Sequence, residues 1–405
     1  MRPWLMTSLL WVSTVPLSSV WAQEPDPAAL LADGTVGLSF RYRYEFVDDD
    51  AFSRDANAST LRSRLSFQSG SYRDTTFFIE VEDIREILAD NFNAGAGNTP
   101  GRSQYPVVAD PEGTEINQAY LDYDGITGTR VRLGRQRINL DNQRFVGGVG
   151  WRQNEQTYDA LSVDWSNDRV RVFYAALDNV NRIFGEDVAA GDHRQAPSHL
   201  LNISANVADV GRASAYHYAI DNDDAAGFST QTTGARLAGS RALPEFTLNY
   251  LAEYARQSDF ADNPQNYTAD YWHVNAAASV GELTLTAGWE VLSGNADDPG
   301  AAFRTPLATL HAFNGWADQF LTTPQAGLDD RYLRLGTTLG DWTLEARGHR
   351  FSAEDGGTRF GNEFDVRAGR KFGEHLQFDV FAAAFDGAGG FADVRKLWLM
   401  LSASF

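Results

Sequence analysis

The chain has 405 residues, 34 Lys and Arg against 54 Asp and Glu, a formal charge of −20 and no cysteine. That balance excludes nucleic acid as a partner, because binding phosphates needs a basic surface, and it leaves backbone hydrogen bonds and packing, not disulfides, to hold the fold. A mean hydropathy of −0.35 is too polar for a bundle of membrane helices, but it suits a barrel in which only every second strand residue faces lipid.

The amino terminus reads as an export signal. Arg2 supplies a small positive region, Leu5 to Val15 is a short apolar run, and Val20-Trp21-Ala22 is a small-residue cleavage site before Gln23. The run is too short to span a bilayer. This predicts a signal peptide over 1–22 and an exported domain over 23–405.

From there the chain alternates apolar and polar residues in segments of about 10 residues, the length that crosses a bilayer at a tilt. They run near 35–47, 59–70, 73–83, 114–124, 128–138, 156–165, 168–179, 198–208, 211–222, 229–239, 244–256, 267–280, 281–293, 329–339, 341–352, 361–372, 375–386 and 394–405. Short connectors such as Ser69-Gly70-Ser71, Gly125-Ile126-Thr127 and Gly373-Glu374 alternate with long ones at 84–113, 139–155, 180–197, 257–266 and 294–328. The predicted fold class is therefore all-β: a transmembrane antiparallel up-and-down β-barrel of roughly 18 strands, with short periplasmic turns and long extracellular loops, in a bacterial outer membrane. The last segment agrees. Leu397, Leu399, Leu401, Ala403 and Phe405 share one face, Lys396, Trp398, Met400, Ser402 and Ser404 the other, and the aromatic end is what a final barrel strand presents to the barrel-assembly machinery. The 25 Phe, 15 Tyr and 10 Trp are enough to build girdles at both membrane interfaces.

Acidic groups concentrate at external tips: Asp48-Asp49-Asp50, Asp221 with Asp223-Asp224, and Asp297-Asp298. They read as solvated loop ends, with divalent-cation bridging to lipopolysaccharide as the sharper alternative.

Arginine at mid-depth cannot face lipid without a cost of ~2–4 kcal/mol. Alternation therefore sends Arg41 and Arg43, Arg62 and Arg64, Arg130 and Arg132, and Arg169 and Arg171 into the lumen, and Arg236, Arg334, Arg347 and Arg367 follow in later strands. Inward acids accompany them at Glu80, Glu82, Asp122, Asp164, Glu253, Glu290, Glu345, Asp365 and Asp379. Such a lumen is either a set of structural ion pairs or a constriction that favours anions, since rings of Arg select anionic solutes and guanidinium grips carboxylates in a fork.

The stretch Leu133–Ala160, LGRQRINLDNQRFVGGVGWRQNEQTYDA, resembles the core motif of the alginate-export family of outer-membrane porins. Asn179–Gly185, NVNRIFG, and Thr305–Leu321, TPLATLHAFNGWADQFL, match it too. The resemblance implies an 18-stranded monomeric barrel with an electropositive, Arg-lined pore, and gives the motif residues Arg135, Arg137, Arg144 and Arg152 a role in a constriction or in anchoring a loop. Arg135 and Arg137 break the alternation of Arg130 and Arg132, through a bulge at Gly134 or because the strand has left the hydrocarbon zone. The 139–155 connector, with Phe145, Trp151 and three glycines, has the composition of a loop that folds back into the mouth. Leu307 to Leu321 recurs near helical spacing and predicts a short amphipathic helix, either an inward gate or a rim-packed segment.

No catalytic, metal or cofactor constellation emerges. The seven His have no metal-type spacing, and His311 near Asp318 is the one candidate for a hydrolase pair at the rim. Three functions are in play: a passive channel for anionic small solutes or saccharides, a dedicated secretion pore for an acidic polysaccharide such as alginate, and a non-conducting structural barrel. The partners expected are outer-membrane lipid and lipopolysaccharide, and an anionic solute or polyuronate.

Overall fold

In the computed structural model, which describes residues 28–405 apart from Pro299, the alternating segments form an 18-stranded sheet that closes on itself. The strands are β1 (Thr35–Asp49), β2 (Ala56–Gln68), β3 (Thr75–Asn91), β4 (Gly113–Ile126), β5 (Thr129–Gln136), β6 (Thr157–Ser166), β7 (Val170–Asn181), β8 (Asp192–Val207), β9 (Gly211–Ile220), β10 (Thr230–Ala242), β11 (Thr247–Asp259), β12 (Thr268–Val280), β13 (Leu283–Leu292), β14 (Leu328–Leu339), β15 (Trp342–Ser352), β16 (Arg359–Phe372), β17 (Leu376–Gly387) and β18 (Val394–Ser404). Each pairs antiparallel with its chain neighbour. β18 returns to β1, with Ser39 opposite Ser404 and Asp49 opposite Val394, so no strand edge is left unpaired in the membrane. The predicted signal peptide lies outside the described residues.

The outer face is apolar, as lipid requires. Leu65, Leu133, Leu285 and Leu333 stand exposed there, the last 59% open, with Trp165, Phe372 and Phe405 toward the short turns and Tyr254 and Trp289 toward the long loops. The inner face is polar, and the lumen is not left open. Loops 92–112, 137–156 and 293–327 fold into it and bring an apolar core with them. Phe145 meets Tyr216 and Tyr271 at 5.2 Å between ring centroids, and Phe320 meets Phe351 at 4.6 Å.

Four expectations are corrected in detail. The loop predicted at 84–113 begins only at 92, because β3 continues past the membrane to Asn91, its outer face carrying Asp83 and Arg85 as an ion pair. The helix predicted over Leu307–Leu321 reduces to one 3-10 turn, Leu310–Ala312. The left-handed backbone at Asn314, Gly315 and Asp318 breaks helical continuation. Arg169 lies in the exposed turn before β7, not in a strand. Finally, β5 pairs one-to-one with both neighbours through Gly134, so no bulge sits there. The bulge is in β4, where Asn117 has no partner on β3 and both Asn117 and Gln118 turn inward to donate to Glu80 Oε1.

Gly134 has φ +124°, and a Cβ there would sit 2.3 Å from Ala119 O. Gly134→Val is therefore expected to break the β4–β5 ladder. The loss of the compact, SDS-resistant band on unheated gels, with Gly336→Val as control because a Cβ meets nothing within 4 Å there, checks it.

Candidate functional site: the arginine-lined lumen

The inward arginines separate into groups with different surroundings. On the wall made by β1 and β2, Arg41, Arg43, Arg62 and Arg64 lie under the 137–156 loop. Arg41 donates from Nε to Gln153 Oε1 at 2.9 Å, from Nη1 to Gly150 O at 2.8 Å, and to Arg152 O. Arg43 donates to Trp151 O, pairs with Glu45 at 2.8 Å and lies 4.3 Å over the Trp151 ring. Arg62 reaches Gln153 O at 3.3 Å. Arg64 pairs with Glu82, and with Glu155 at 2.6 Å, while Arg137 closes on Glu155 from the other side at 2.6 Å. This wall acts as a rack of donors for loop carbonyls. Guanidinium suits that role because it keeps its charge when buried and offers five donors in a rigid fork.

Arg152 and Arg144 pin the loop at two points along its length. Arg152 reaches Glu45 at 3.1 Å and Asp318 at 3.4 Å. Asp318, on the 293–327 loop, also accepts from Lys396 at 3.0 Å and contacts His311 Nδ1 at 2.7 Å. Burial opposes ionisation of Asp318, but His311, Lys396 and Arg152 together hold its carboxyl well below the usual carboxylate range. His311 stacks on Trp151 at 3.9 Å. Its ring is packed into this knot. Arg144 pairs with Glu290 at 2.7 Å and donates to Asn314 Oδ1 at 2.9 Å.

A different setting holds on the periplasmic side, below the loops. Arg130, Arg132, Arg137 and Arg171 surround an open cavity in which Asp164 is the one carboxylate of the lining. Arg132 forms a fork on Asp122 at 2.6 and 2.7 Å and lies 3.7 Å over the Tyr120 ring. Arg171 forms another on Asp164 at 2.8 and 2.6 Å. Arg130, half exposed, shares Asp122 and Asp124 at 3.6 and 3.0 Å. Around the barrel on β14 to β16, Arg334 and Arg347 share the single carboxylate of Glu345. Arg347 lies 4.5 Å over Trp316, and Arg367 pairs with Asp379 at 2.8 Å. Arg135 is the exception. It faces outward and makes a fork with Asp159 at 2.9 and 3.2 Å, close to the extracellular end of β5.

Thus the structure brings Arg41, Arg43, Arg62, Arg64 and Arg152 together, Arg130, Arg132 and Arg171 form their own group, with Arg137 bridging the two through Glu155 and the cavity lining, and Arg334, Arg347 and Arg367 line another wall. Sequence reasoning missed that Arg41, Arg43 and Arg62 in the first group donate to loop carbonyls. It also missed Lys396 as a partner of Asp318 beside Arg152 and His311, although alternation in β18 does turn Lys396 inward.

Comparison with known proteins gives the same architecture. None of the curated protein sequences matches this chain. Three solved structures similar in fold are Pseudomonas aeruginosa OpdK with vanillate, at TM-score 0.74 and 12% identity over 93% of this chain and 99% of that one; P. aeruginosa OccK9 (OpdG), at 0.72 and 14% over 93% and 99%; and Acinetobacter baumannii OccAB4, at 0.71 and 13% over 92% and 98%. These neighbours are outer-membrane channels, not enzymes, and at such identities they establish the barrel fold alone. The family model described as alginate export matches residues 33–290, well over half the chain. An 18-stranded barrel with an apolar belt, a polar lumen and that match together place the chain in the alginate-export family of outer-membrane porins.

Proposed function

We propose that this porin is a passive, anion-preferring channel for small carboxylates or acidic saccharides, acting as a monomer. The observation that supports this most directly is the open cavity whose wall carries Arg130, Arg132, Arg137 and Arg171, each also paired with a carboxylate among Asp122, Asp124, Glu155 and Asp164. Paired guanidiniums on such a wall still present unused N–H donors to a passing carboxylate, and Arg334 and Arg347, with one carboxylate between them, extend the positive surface. In this reading Arg130, Arg132, Arg137, Arg171, Arg334, Arg347 and Arg367 line the solute path, whereas Arg41, Arg43, Arg62, Arg64, Arg144 and Arg152 set its bore by holding the loops. A barrel supplies no energy source, so solutes move down their gradients.

The family's description, alginate export, supports a second reading, outward passage of a polyuronate chain through the same path. The reversal potential of the purified protein in a planar bilayer under a KCl gradient tests the first, and oligouronate added to either side tests the second. Anion selectivity is expected, and Arg130→Gln with Arg171→Gln should move the reversal potential most of the way toward zero. A cation-selective current, or no current, would overturn the anion-channel reading. Block by oligouronate from the periplasmic side alone favours secretion.

A further inference from the structure

At the extracellular mouth, lined in part by the 293–327 loop, lies a cavity that combines charge with an apolar wall. The residue just past β7, Arg182, projects into it with Ala190 O at 3.4 Å and His193 Nε2 at 3.4 Å as its polar contacts. It has no carboxylate partner among the described residues, and burial alone, with nothing opposing it, pushes its guanidinium down from the ordinary value. Arg304 enters from the 293–327 loop. Its guanidinium lies 5.9 Å from the Phe228 ring, also without a carboxylate. The other side is apolar, built from Phe228, Leu307, Leu310 and Leu321.

The hydrogen bonding around His193 shows what the polar end lacks. Asn222 Oδ1 accepts from the backbone N–H of Ala225 at 2.8 Å, which fixes the amide so that Nδ2 donates to His193 Nδ1 at 3.1 Å. His193 Nδ1 is then an acceptor, and the ring proton sits on Nε2. Nε2–H therefore faces the N–H of Arg182, donor against donor. Two opposed donors, one of them cationic, call for an anionic acceptor that bridges both, and among the described residues no carboxylate does so. Asp192 and Asp224, the acidic groups that act on His193, take hydrogen bonds from Asn179 and from the backbone of Arg194 instead.

We propose that this mouth cavity binds a small carboxylate with an apolar body, of aromatic-acid size, its carboxylate between Arg182 and His193 Nε2 and its body against Phe228 and the leucines. A sugar acid offers the same charge, and Thr305, Thr322 and Thr323 in the lining can take some of its hydroxyls, but those set against Phe228 and the leucines lose their hydrogen bonds, and that costs affinity. The site deepens the anion-channel reading by naming the solute class captured first, and only its role in transport rests on that reading.

Calorimetric titration of the detergent-solubilised barrel with benzoate, benzyl alcohol and galacturonate tests it without any need for conduction. Benzoate is expected to bind more tightly than either control. Arg182→Gln should weaken it by about tenfold or more, as loss of a charge-assisted contact does, and Phe228→Ser should weaken benzoate while leaving galacturonate unchanged. Migration of each variant as a compact band on unheated gels separates lost binding from lost folding. Absence of benzoate binding, equal binding of galacturonate, or full benzoate binding by a folded Arg182→Gln overturns the proposal. The reversal potential in plain KCl is a separate readout, so failure of the mouth site and failure of the anion-channel reading remain distinguishable.

Discussion

Arg144→Ala is expected to release the 137–156 loop from the lumen and raise the single-channel conductance. Arg144 and Glu290 are each 2% exposed and pair at 2.7 Å. Arg144 also donates to Asn314 on the 293–327 loop and lies 4.8 Å over Phe313. Removing it leaves a buried carboxylate uncompensated, which costs about 3–5 kcal/mol. The barrel wall does not bear that cost, because its ladders are untouched. The docked loop does, since undocking lets water reach Glu290. Conductance and open-channel noise, together with protease cleavage between 137 and 156, check the effect. Arg144→Met with Glu290→Gln removes both charges and is expected to restore much of the wild-type conductance. If Arg144→Ala conducts and resists protease as the wild type does, the loop is held elsewhere.

Asp318→Ala should have a comparable effect from the opposite side of the plug. One carboxylate meets Arg152, Lys396 and His311, and its loss leaves cations facing each other in a buried space, again about 3–5 kcal/mol against docking. The same knot predicts a pH response. Burial holds His311 below the ordinary imidazole value; Asp318 opposes this in part, and Arg152 and Lys396 reinforce it. The docked loop therefore binds a proton on His311 less readily than the undocked loop. Docking is at full strength above the free imidazole value of about 6.5 and weakens as pH falls below it. Asp318 contributes no loss in that window, because its carboxyl stays ionised far below it. Gating events are expected to become more frequent from pH 7.5 to pH 5. His311→Phe, which keeps a ring on Trp151 without a titrating group, is expected to flatten the response. An equally steep pH dependence in His311→Phe would assign it to another group.

Several of these features were legible in the residues alone. Alternation found the strands, and it turned Arg62, Asp122, Glu290 and Lys396 inward, because side-chain direction along a strand is a local property with period two. The cost of charge in lipid then chose which face was inside. The composition of 139–155 marked a loop suited to entering the mouth. It was equally readable that the long connectors all fall on one side of the barrel, since each short turn reverses the chain after a single crossing.

Other features depended on partners distant in the chain. Whether an inward arginine meets water or protein is decided by where the loops travel: Arg43 donates to Trp151, 108 residues on, and Arg144 meets Asn314, 170 residues on. No periodicity encodes such contacts. Helical spacing between Leu307 and Leu321 misled for the same reason. Those apolar residues recur because they pack on several surfaces of a lumen, and the left-handed residues between them are tolerated because Glu290, Asp330 and Glu363 on the wall receive Asn314 and the Ala317 amide. Alternation along a chain determines a barrel and its two faces; the bore, the buried charge knots and the free guanidiniums at the mouth arise only when loops from separate hairpins share one interior.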